Sequence, residues 1–384
     1  MHPFLRKISF LTRSRDWRLS LLPFIIGCIY LWVWKLQISL SKEAIFLISF
    51  SFLTTIGFAS FGYLLNEWFD IAHDFSSGKP NRLSSLSIKV VLALFTASSL
   101  LIAVPWLWLP GDYVSWMLVG AEILAFVLYS FPVFRFKSIP LVSNVVDMAY
   151  AYVLPLWLSF HTYGLYTGFL TYPNWFYFLL SASGVIGFRN ILIHQINDVF
   201  NDRMAGMSTL PMLLKPVNCS ALLLFLLIIE FALFLMFSLF AADDTSIAFL
   251  IPVAYTFYSV YQLNRLMPDS FSAIVIGPFR HLTDLFYQVL FPLCALFLVI
   301  TTNISWAFLI PVHLLFFIPW HLAHEAKTAL VDGFWYVDNY VKLWKRISLA
   351  VNYPIYWAFR LFSVDLIKEK KSALEYLNTR FNNV

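Results

Sequence analysis

Residues 44–66 read AIFLISFSFLTTIGFASFGYLLN, an apolar run that contains no charged side chain. About 20 apolar residues cross the hydrocarbon core of a bilayer as an α-helix. The run is too long and too continuous for a strand of a membrane barrel, in which lipid-facing and lumen-facing residues alternate. This stretch therefore predicts a membrane-spanning helix.

The composition of the whole chain extends this interpretation. Hydrophobic types make up 60% of the 384 residues and charged types only 12%, whereas a soluble domain carries about 25% charged residues. The predicted class is all-α, a polytopic membrane bundle of nine to ten transmembrane helices, because the last two apolar runs are short and contain proline. The spans are predicted near residues 19–35, 44–66, 88–109, 114–131, 142–160, 175–194, 219–241, 247–263, 285–301 and 304–320.

Basic residues predict the orientation of the bundle, since cytosolic loops carry the excess of lysine and arginine. They concentrate in residues 1–18 and in alternate loops, including 67–87 and 132–141. We therefore expect an integral protein of the cell (inner) membrane with a cytosolic N-terminus and cytosolic active-site loops. The net charge of +5 is largely explained by the basic residues that set the orientation in the membrane. No nucleic acid is therefore expected as a partner. The predicted parts are a basic flank (1–18), a transmembrane domain (19–320) and a cytosolic or interfacial tail against membrane lipids (321–384).

Polar side chains follow the apolar run at the predicted cytosolic end of the second span. Asn66, Asp70 and Asp74 are spaced four residues apart, which places them on one face of a helix. Ionisable groups at membrane depth are costly and usually mark a site. Oxygen ligands in a row suit Mg²⁺, which is held by one or two carboxylates together with substrate phosphates. Lys79 and Arg82 follow and suit a polyanionic diphosphate, although an ordinary solvated loop would look the same.

A second cluster of the same form ends the sixth predicted span. His194, Asp198 and Asp202 again stand four residues apart, and Arg203 follows them. The two clusters are four spans apart, so both reach the same membrane side. Two carboxylate clusters facing one cavity can hold Mg²⁺ around one diphosphate. A histidine near a span end is more often an interfacial hydrogen-bonding residue than a catalytic one.

These residues resemble the UbiA superfamily of intramembrane prenyltransferases. That family carries N-x-x-x-D-x-x-x-D after its second helix and D-x-x-x-D after its sixth. The segments GKPNRL (78–83), DRMAGMSTLP (202–211) and YSFPVFRFK (129–137) are also similar to family sequences. Two features depart from the family: Glu67 replaces the aspartate that often follows the first asparagine, and the chain has an added span and tail.

The resemblance implies Mg²⁺-dependent transfer of a prenyl group from a prenyl diphosphate to an unknown acceptor, aromatic or a lipid-pathway small molecule. The implied metal ligands are Asn66, Asp70, Asp74, Asp198 and Asp202. The implied diphosphate contacts are Lys79, Arg82, Tyr129, Arg135, Lys137 and Arg203. Asp70, Asp198 and Asp147 are the candidate catalytic residues.

Two alternatives to prenyl transfer stay open at this point. A terpene cyclase could use the same metal and diphosphate site without an acceptor. An ion-coupled transporter could use the aspartates, but transporter sites lie near the bilayer midplane on broken helices. Inside the spans, Glu122, Asp147 and Glu230 are each either an acceptor-binding group or a hydrogen-bonding residue of the bundle interior.

Overall fold

The computed structural model describes residues 10–12, 14–76, 78, 81–204, 206–214, 216–241, 246–256 and 286–314. These residues form helices and turns, and no strand occurs among them. The α-helices are α1 (Ser14–Lys35), α2 (Lys42–Ser76), α3 (Ile88–Ala103), α4 (Tyr113–Ser130), α5 (Val142–Met148), α6 (Leu154–Thr167), α7 (Asn174–Met204), α8 (Leu210–Leu213), α9 (Pro216–Ala241) and α10 (Phe291–Thr302). Residues 250–256 and 309–314 are also α-helical. Lys79, the tail 321–384 and most of the flank 1–18 lie outside the described residues, as do residues 257–263 and 315–320 of the spans predicted at 247–263 and 304–320.

The described part contains five helices that are long and apolar enough to cross a membrane. They are Lys42–Phe75, Ile88–Leu107, Tyr113–Ser130, Asn174–Ile196 and Ala221–Ala241. Shorter apolar helices occupy Leu21–Lys35, Phe286–Thr302 and Ile304–Leu314. The predicted all-helical membrane bundle is confirmed, while the total of nine to ten spans and the orientation stay predictions.

The two helices that carry the acidic clusters are longer than a bilayer requires. Helix α2 has 35 residues and α7 has 31, so they are about 52 and 46 Å long at 1.5 Å per residue. The hydrocarbon core is about 30 Å thick. Each helix therefore carries its acidic cluster on a rigid extension of the span, which fixes the predicted four-residue spacing on a helix face.

The fifth predicted span, 142–160, is helical but not uniform. A π-turn at Ala149–Val153 separates α5 from α6. Pro155 in the first turn of α6 has no N–H to donate, and its ring hinders the preceding turn of a regular α-helix. The wider π-turn accommodates this residue and rotates the side chains of α5 relative to those of α6, and such turns are frequent at functional sites.

Helix α1 lies in the interior of the bundle. Every side chain from Leu22 to Trp34 is buried, as expected for a helix that is apolar all round. Phe24 stacks on Phe291 of α10 with ring centroids 5.3 Å apart, and Trp32 meets Phe160 of α6 edge to face at 4.9 Å. These aromatic contacts hold α1 between neighbouring helices, so the N-terminal span is a core element of the fold.

Candidate active site

The first acidic cluster is closed by a lysine from the loop between α4 and α5. The Lys137 ammonium donates to Asn66 Oδ1 at 2.9 Å and forms a salt bridge with the Asp70 carboxylate. Arg135 Nη2 approaches the same Asp70 oxygen at 3.4 Å, and Ser130 Oγ lies 3.5 Å from Asn66 Oδ1. The structure thus brings Asn66 and Asp70 together on one face of α2 and sets both predicted cations of this loop against them.

The backbone of this loop explains how it reaches α2. Arg135 has φ +40°, a left-handed conformation that few residues other than glycine adopt, and it initiates a 3₁₀ turn at Phe136–Ser138. The Lys137 side chain is only 8% exposed. Burial lowers the pKa of Lys137, and the neighbouring Asp70 carboxylate opposes that shift. A lysine held this way presents its charge in a fixed position.

Asp74 and Arg82 have partners that the sequence did not predict. Asn81 Nδ2 donates at 2.8 Å both to Asp74 Oδ2 and to the carbonyl oxygen of Glu67. Arg82 pairs with Glu67, with Nη1 3.1 Å from Oε1 and the backbone N–H donating to Oε2 at 3.2 Å. Glu67 therefore folds the loop after α2 back onto the helix. Arg82, predicted to contact diphosphate, is held by Glu67 and not by Asp70.

The second cluster lies on the last turns of α7. Asp198 is half-buried, and His194 Nε2 lies 3.6 Å from its Oδ2 across one helical turn. Asp202 is 8% exposed and buried, whereas Arg203 is exposed. The structure therefore turns Asp202 inward. It leaves Arg203, predicted to contact diphosphate, at the surface.

Tyr129, at the end of α4, interacts with a residue of each acidic cluster. Its hydroxyl interacts electrostatically with Asp70 of α2, Asp202 of α7 and Asp147 of α5. Charges exert such an effect over short range only, because the interaction falls with distance. One carboxylate of each acidic cluster, Asp70 and Asp202, therefore lies near the same tyrosine, although about 130 residues separate the two in the chain.

Asp147 lies in the same group and has a partner that sequence reasoning missed. The Tyr150 hydroxyl donates to Asp147 Oδ1 at 2.9 Å. The Tyr150 ring packs against Phe126 at 4.5 Å and against Tyr129 at 5.4 Å. Tyr150 follows Asp147 by three residues, and residues three apart are neighbours on a helix surface. This spacing could have predicted their contact from the sequence.

Glu230, one of the candidate groups inside the spans, is part of a buried network. Its carboxylate forms a salt bridge with Arg189 of α7 and accepts a hydrogen bond from Tyr287 at 2.6 Å. Tyr255 Oη lies 3.3 Å from the same carboxylate. Each charge is therefore paired and hydrogen-bonded, which a buried ion pair requires. This contact joins α7 to α9, so we assign it to the bundle interior.

The donor chemistry of the acidic residues determines which metal they could hold. Among the described residues, no three His, Cys, Asp or Glu side chains lie close enough together to hold one ion by themselves. The oxygen-bearing groups Asn66, Asp70 and Asp74 of α2 and Asp198 and Asp202 of α7 instead offer carboxylate and amide oxygens at the ends of two helices. This set fits Mg²⁺, which keeps several waters and completes its shell with substrate phosphate.

Fold and site together define a polytopic helical membrane protein with paired carboxylate and cation groups at the ends of two long helices. The family model of the UbiA prenyltransferase family matches residues 20–270. The chain belongs to this family, which confirms the resemblance seen in the sequence. No curated protein sequence matches the chain significantly.

Solved structures share the fold at low sequence identity. A UbiA homologue from Archaeoglobus fulgidus bound to GPP and Mg²⁺ is 18% identical, with a TM-score of 0.51 over 75% of this chain and 99% of that one. An apo UbiA homologue from Aeropyrum pernix K1 is 14% identical, with a TM-score of 0.54 over 73% and 97%. A structure of digeranylgeranylglyceryl phosphate synthase is 14% identical, with a TM-score of 0.53 over 77% and 99%.

Proposed function

We propose that this protein is an enzyme that transfers a prenyl group from a prenyl diphosphate to an acceptor within the membrane, with Mg²⁺ as cofactor. The observation that carries the proposal is the contact of two cations, Arg135 and Lys137, with the Asp70 carboxylate of the first acidic cluster. The Tyr129 hydroxyl, which interacts with both Asp70 and Asp202, supports a site shared by the two clusters. The UbiA family match supports the proposal. So does the homologue bound to GPP and Mg²⁺.

Each group of residues has a role in this proposal. Asn66, Asp70, Asp74, Asp198 and Asp202 would hold the metal, which when bound neutralises phosphate charge and assists departure of the diphosphate. Lys137 and Arg135 donate hydrogen bonds to phosphate oxygens, and charge-assisted bonds of this kind are strong. Tyr129 orders the space between the clusters. Lys79 and Arg203 contribute positive charge, and Arg82 acts through Glu67.

The apolar surroundings serve the later part of the reaction. Once the allylic C–O bond breaks, aromatic ring faces can stabilise the positive charge on carbon. The Tyr150 ring packs against Tyr129, and Phe126 packs against Tyr150. Exclusion of water prevents hydrolysis of a reactive intermediate. The prenyl chain enters sideways from the lipid, with the clusters at the cytosolic side of the inner membrane.

The test is binding of geranyl diphosphate to the detergent-purified protein, measured by titration calorimetry with Mg²⁺ and with EDTA. We expect binding only with Mg²⁺, and a loss of at least about tenfold in affinity for Asp70→Asn, because one charged ligand contributes 1.5 kcal/mol or more. Asp112→Asn is the matched control, since Asp112 caps the opposite end of α4. Equal binding in EDTA would contradict the proposal. Product analysis separates transfer from cyclisation, since only transfer consumes an acceptor.

A further inference from the structure

A carboxylate and a phenol form a pair beside the site but outside the acidic clusters. Asp147 Oδ1 accepts a hydrogen bond from the Tyr150 hydroxyl at 2.9 Å, and both side chains keep part of their surface accessible. Tyr150 is the one donor to Asp147 among the side-chain hydrogen bonds described. A carboxylate offers about four lone-pair sites. The Asp147 carboxylate can therefore accept a further hydrogen bond.

This pair lies on the membrane side of the acidic clusters. The Tyr150 hydroxyl interacts electrostatically with Tyr129 and with Tyr63 of α2. Tyr63 precedes Asp70 by seven residues, which is about 10 Å along a helix. A prenyl diphosphate whose phosphates lie at Asp70 places its first carbon in that direction, because its chain must run into the apolar interior. Asp147 and Tyr150 are then the polar groups next to the reacting carbon.

Several contacts join the α5 segment to α7. A Cβ atom at Gly187 would lie 2.7 Å from the Tyr152 ring and 2.9 Å from Met148 Cβ, so glycine is what permits the close approach. Asn190 Nδ2 donates to the Tyr152 hydroxyl at 2.7 Å, and Gln195 Nε2 donates to Ser143 Oγ at 3.0 Å. The π-turn therefore points Tyr152 at α7 and leaves Tyr150 beside Asp147.

We propose that Asp147 accepts the proton released by the acceptor and that Tyr150 positions its carboxylate. This inference rests on the proposed prenyl transfer. The C–O bond of the prenyl diphosphate breaks, and its electron pair leaves with the diphosphate. An electron pair from the acceptor's hydroxyl oxygen, or from the ring carbon that this hydroxyl activates, forms the new bond to the first prenyl carbon. When a ring carbon attacks, the product is first the keto tautomer, and the hydrogen on that carbon then moves to the oxygen to restore the phenol. The hydroxyl proton passes to the Asp147 carboxylate. The acceptor class is therefore a hydroxyl compound that donates a hydrogen bond to Asp147.

The experiment measures transfer from geranyl diphosphate with Mg²⁺ to 4-methylphenol and to 1-octanol, each compared with its methyl ether. We expect transfer to the hydroxyl compounds only. Asp147→Asn should lower kcat by about a hundredfold, since a positioned base contributes 10²–10⁴, and Asp147→Glu should restore part of it. Tyr150→Phe should lower kcat by roughly tenfold, as expected for a lost hydrogen bond to a charged group. Binding of geranyl diphosphate should stay within twofold of wild type in all three variants.

Tyr152→Phe is the matched control, because Tyr152 lies in the same π-turn but its hydroxyl binds Asn190. A loss in Tyr152→Phe equal to that in Tyr150→Phe would assign the effect to packing and overturn the inference. So would an unchanged kcat in Asp147→Asn, or a wild-type protein that binds geranyl diphosphate yet transfers to no hydroxyl compound. Failure of Mg²⁺-dependent binding in the wild type would instead contradict the proposed function itself.

Discussion

The Lys137 ammonium forms a salt bridge with the Asp70 carboxylate, although the two residues are 67 positions apart in the chain. The same ammonium donates to Asn66 at 2.9 Å. Helix α2 therefore supplies the anionic and amide oxygens, and the loop after α4 supplies a fixed cation beside them. A site of this kind can bind a phosphate group through the lysine and a metal ion through the carboxylate.

Replacement of Lys137 tests the role of that cation. Lys137→Gln should weaken geranyl diphosphate binding by about tenfold or more, because a hydrogen bond to a charged group contributes 1.5–3 kcal/mol. Lys89→Gln is the control, since Lys89 is exposed at the start of α3. Titration calorimetry of both variants with Mg²⁺ checks the prediction, and an unchanged affinity in Lys137→Gln would remove Lys137 from the diphosphate site.

The contact between Glu67 and Arg82 predicts that substitutions at these two residues have coupled effects on diphosphate affinity. Because Glu67 holds both the side chain and the backbone N–H of Arg82, Glu67→Gln and Arg82→Gln should weaken diphosphate binding to a similar extent. The double variant should bind little worse than either single variant. Substitutions at contacting residues have free-energy effects that do not add, with interaction energies of roughly 0.5–3 kcal/mol. Affinities of the four proteins in a double-mutant cycle measure this. Fully additive losses would mean that Arg82 contacts the substrate independently of Glu67.

The buried ion pair between Arg189 and Glu230 predicts a large effect on stability. Their side chains are 1% and 0% exposed, and removal of one partner leaves an uncompensated buried charge that costs about 3–5 kcal/mol. Glu230→Gln should therefore lower the thermal unfolding midpoint in detergent strongly. The double variant Arg189→Met/Glu230→Leu should recover much of that loss. A Glu230→Gln protein as stable as wild type would show that this pair is not needed for the packing of α7 against α9.

Close packing of α2 against α4 predicts the effect of a single added methyl group. A Cβ atom at Gly62 would lie 2.3 Å from Phe126 Cε1, whereas one at Gly120 would meet nothing within 4 Å. Gly62→Ala should destabilise the protein by about 1–3 kcal/mol, as overpacking does, and Phe126→Leu should partly relieve it. Gly120→Ala should change stability little. Thermal unfolding compares the variants, and equal midpoints for both glycine replacements would contradict the close contact.

The sequence predicted the helical class and the stacking of Asn66 with Asp70, because hydropathy and four-residue spacing are local properties of a helix. The family resemblance also selected Lys137 and Arg135, and both contact Asp70, while their contact with diphosphate stays a prediction. The sequence did not predict the partners of Arg82 and Asp74, since Glu67 and Asn81 act through the path of a loop that periodicity does not describe. The π-turn that separates α5 from α6 was missed for a related reason: a single proline in an apolar run does not determine how the helix adapts to it.

In the proposed function, the two acidic clusters bind one diphosphate. The most direct test is a double-mutant cycle on geranyl diphosphate affinity with Mg²⁺, using Asp70→Asn, Asp202→Asn and their combination. If both carboxylates act on one bound diphosphate, each single variant should lose about tenfold or more, and the double variant should lose much less than the product of the two losses. Independent losses that multiply, or an Asp202→Asn protein that binds as well as wild type, would contradict the shared site.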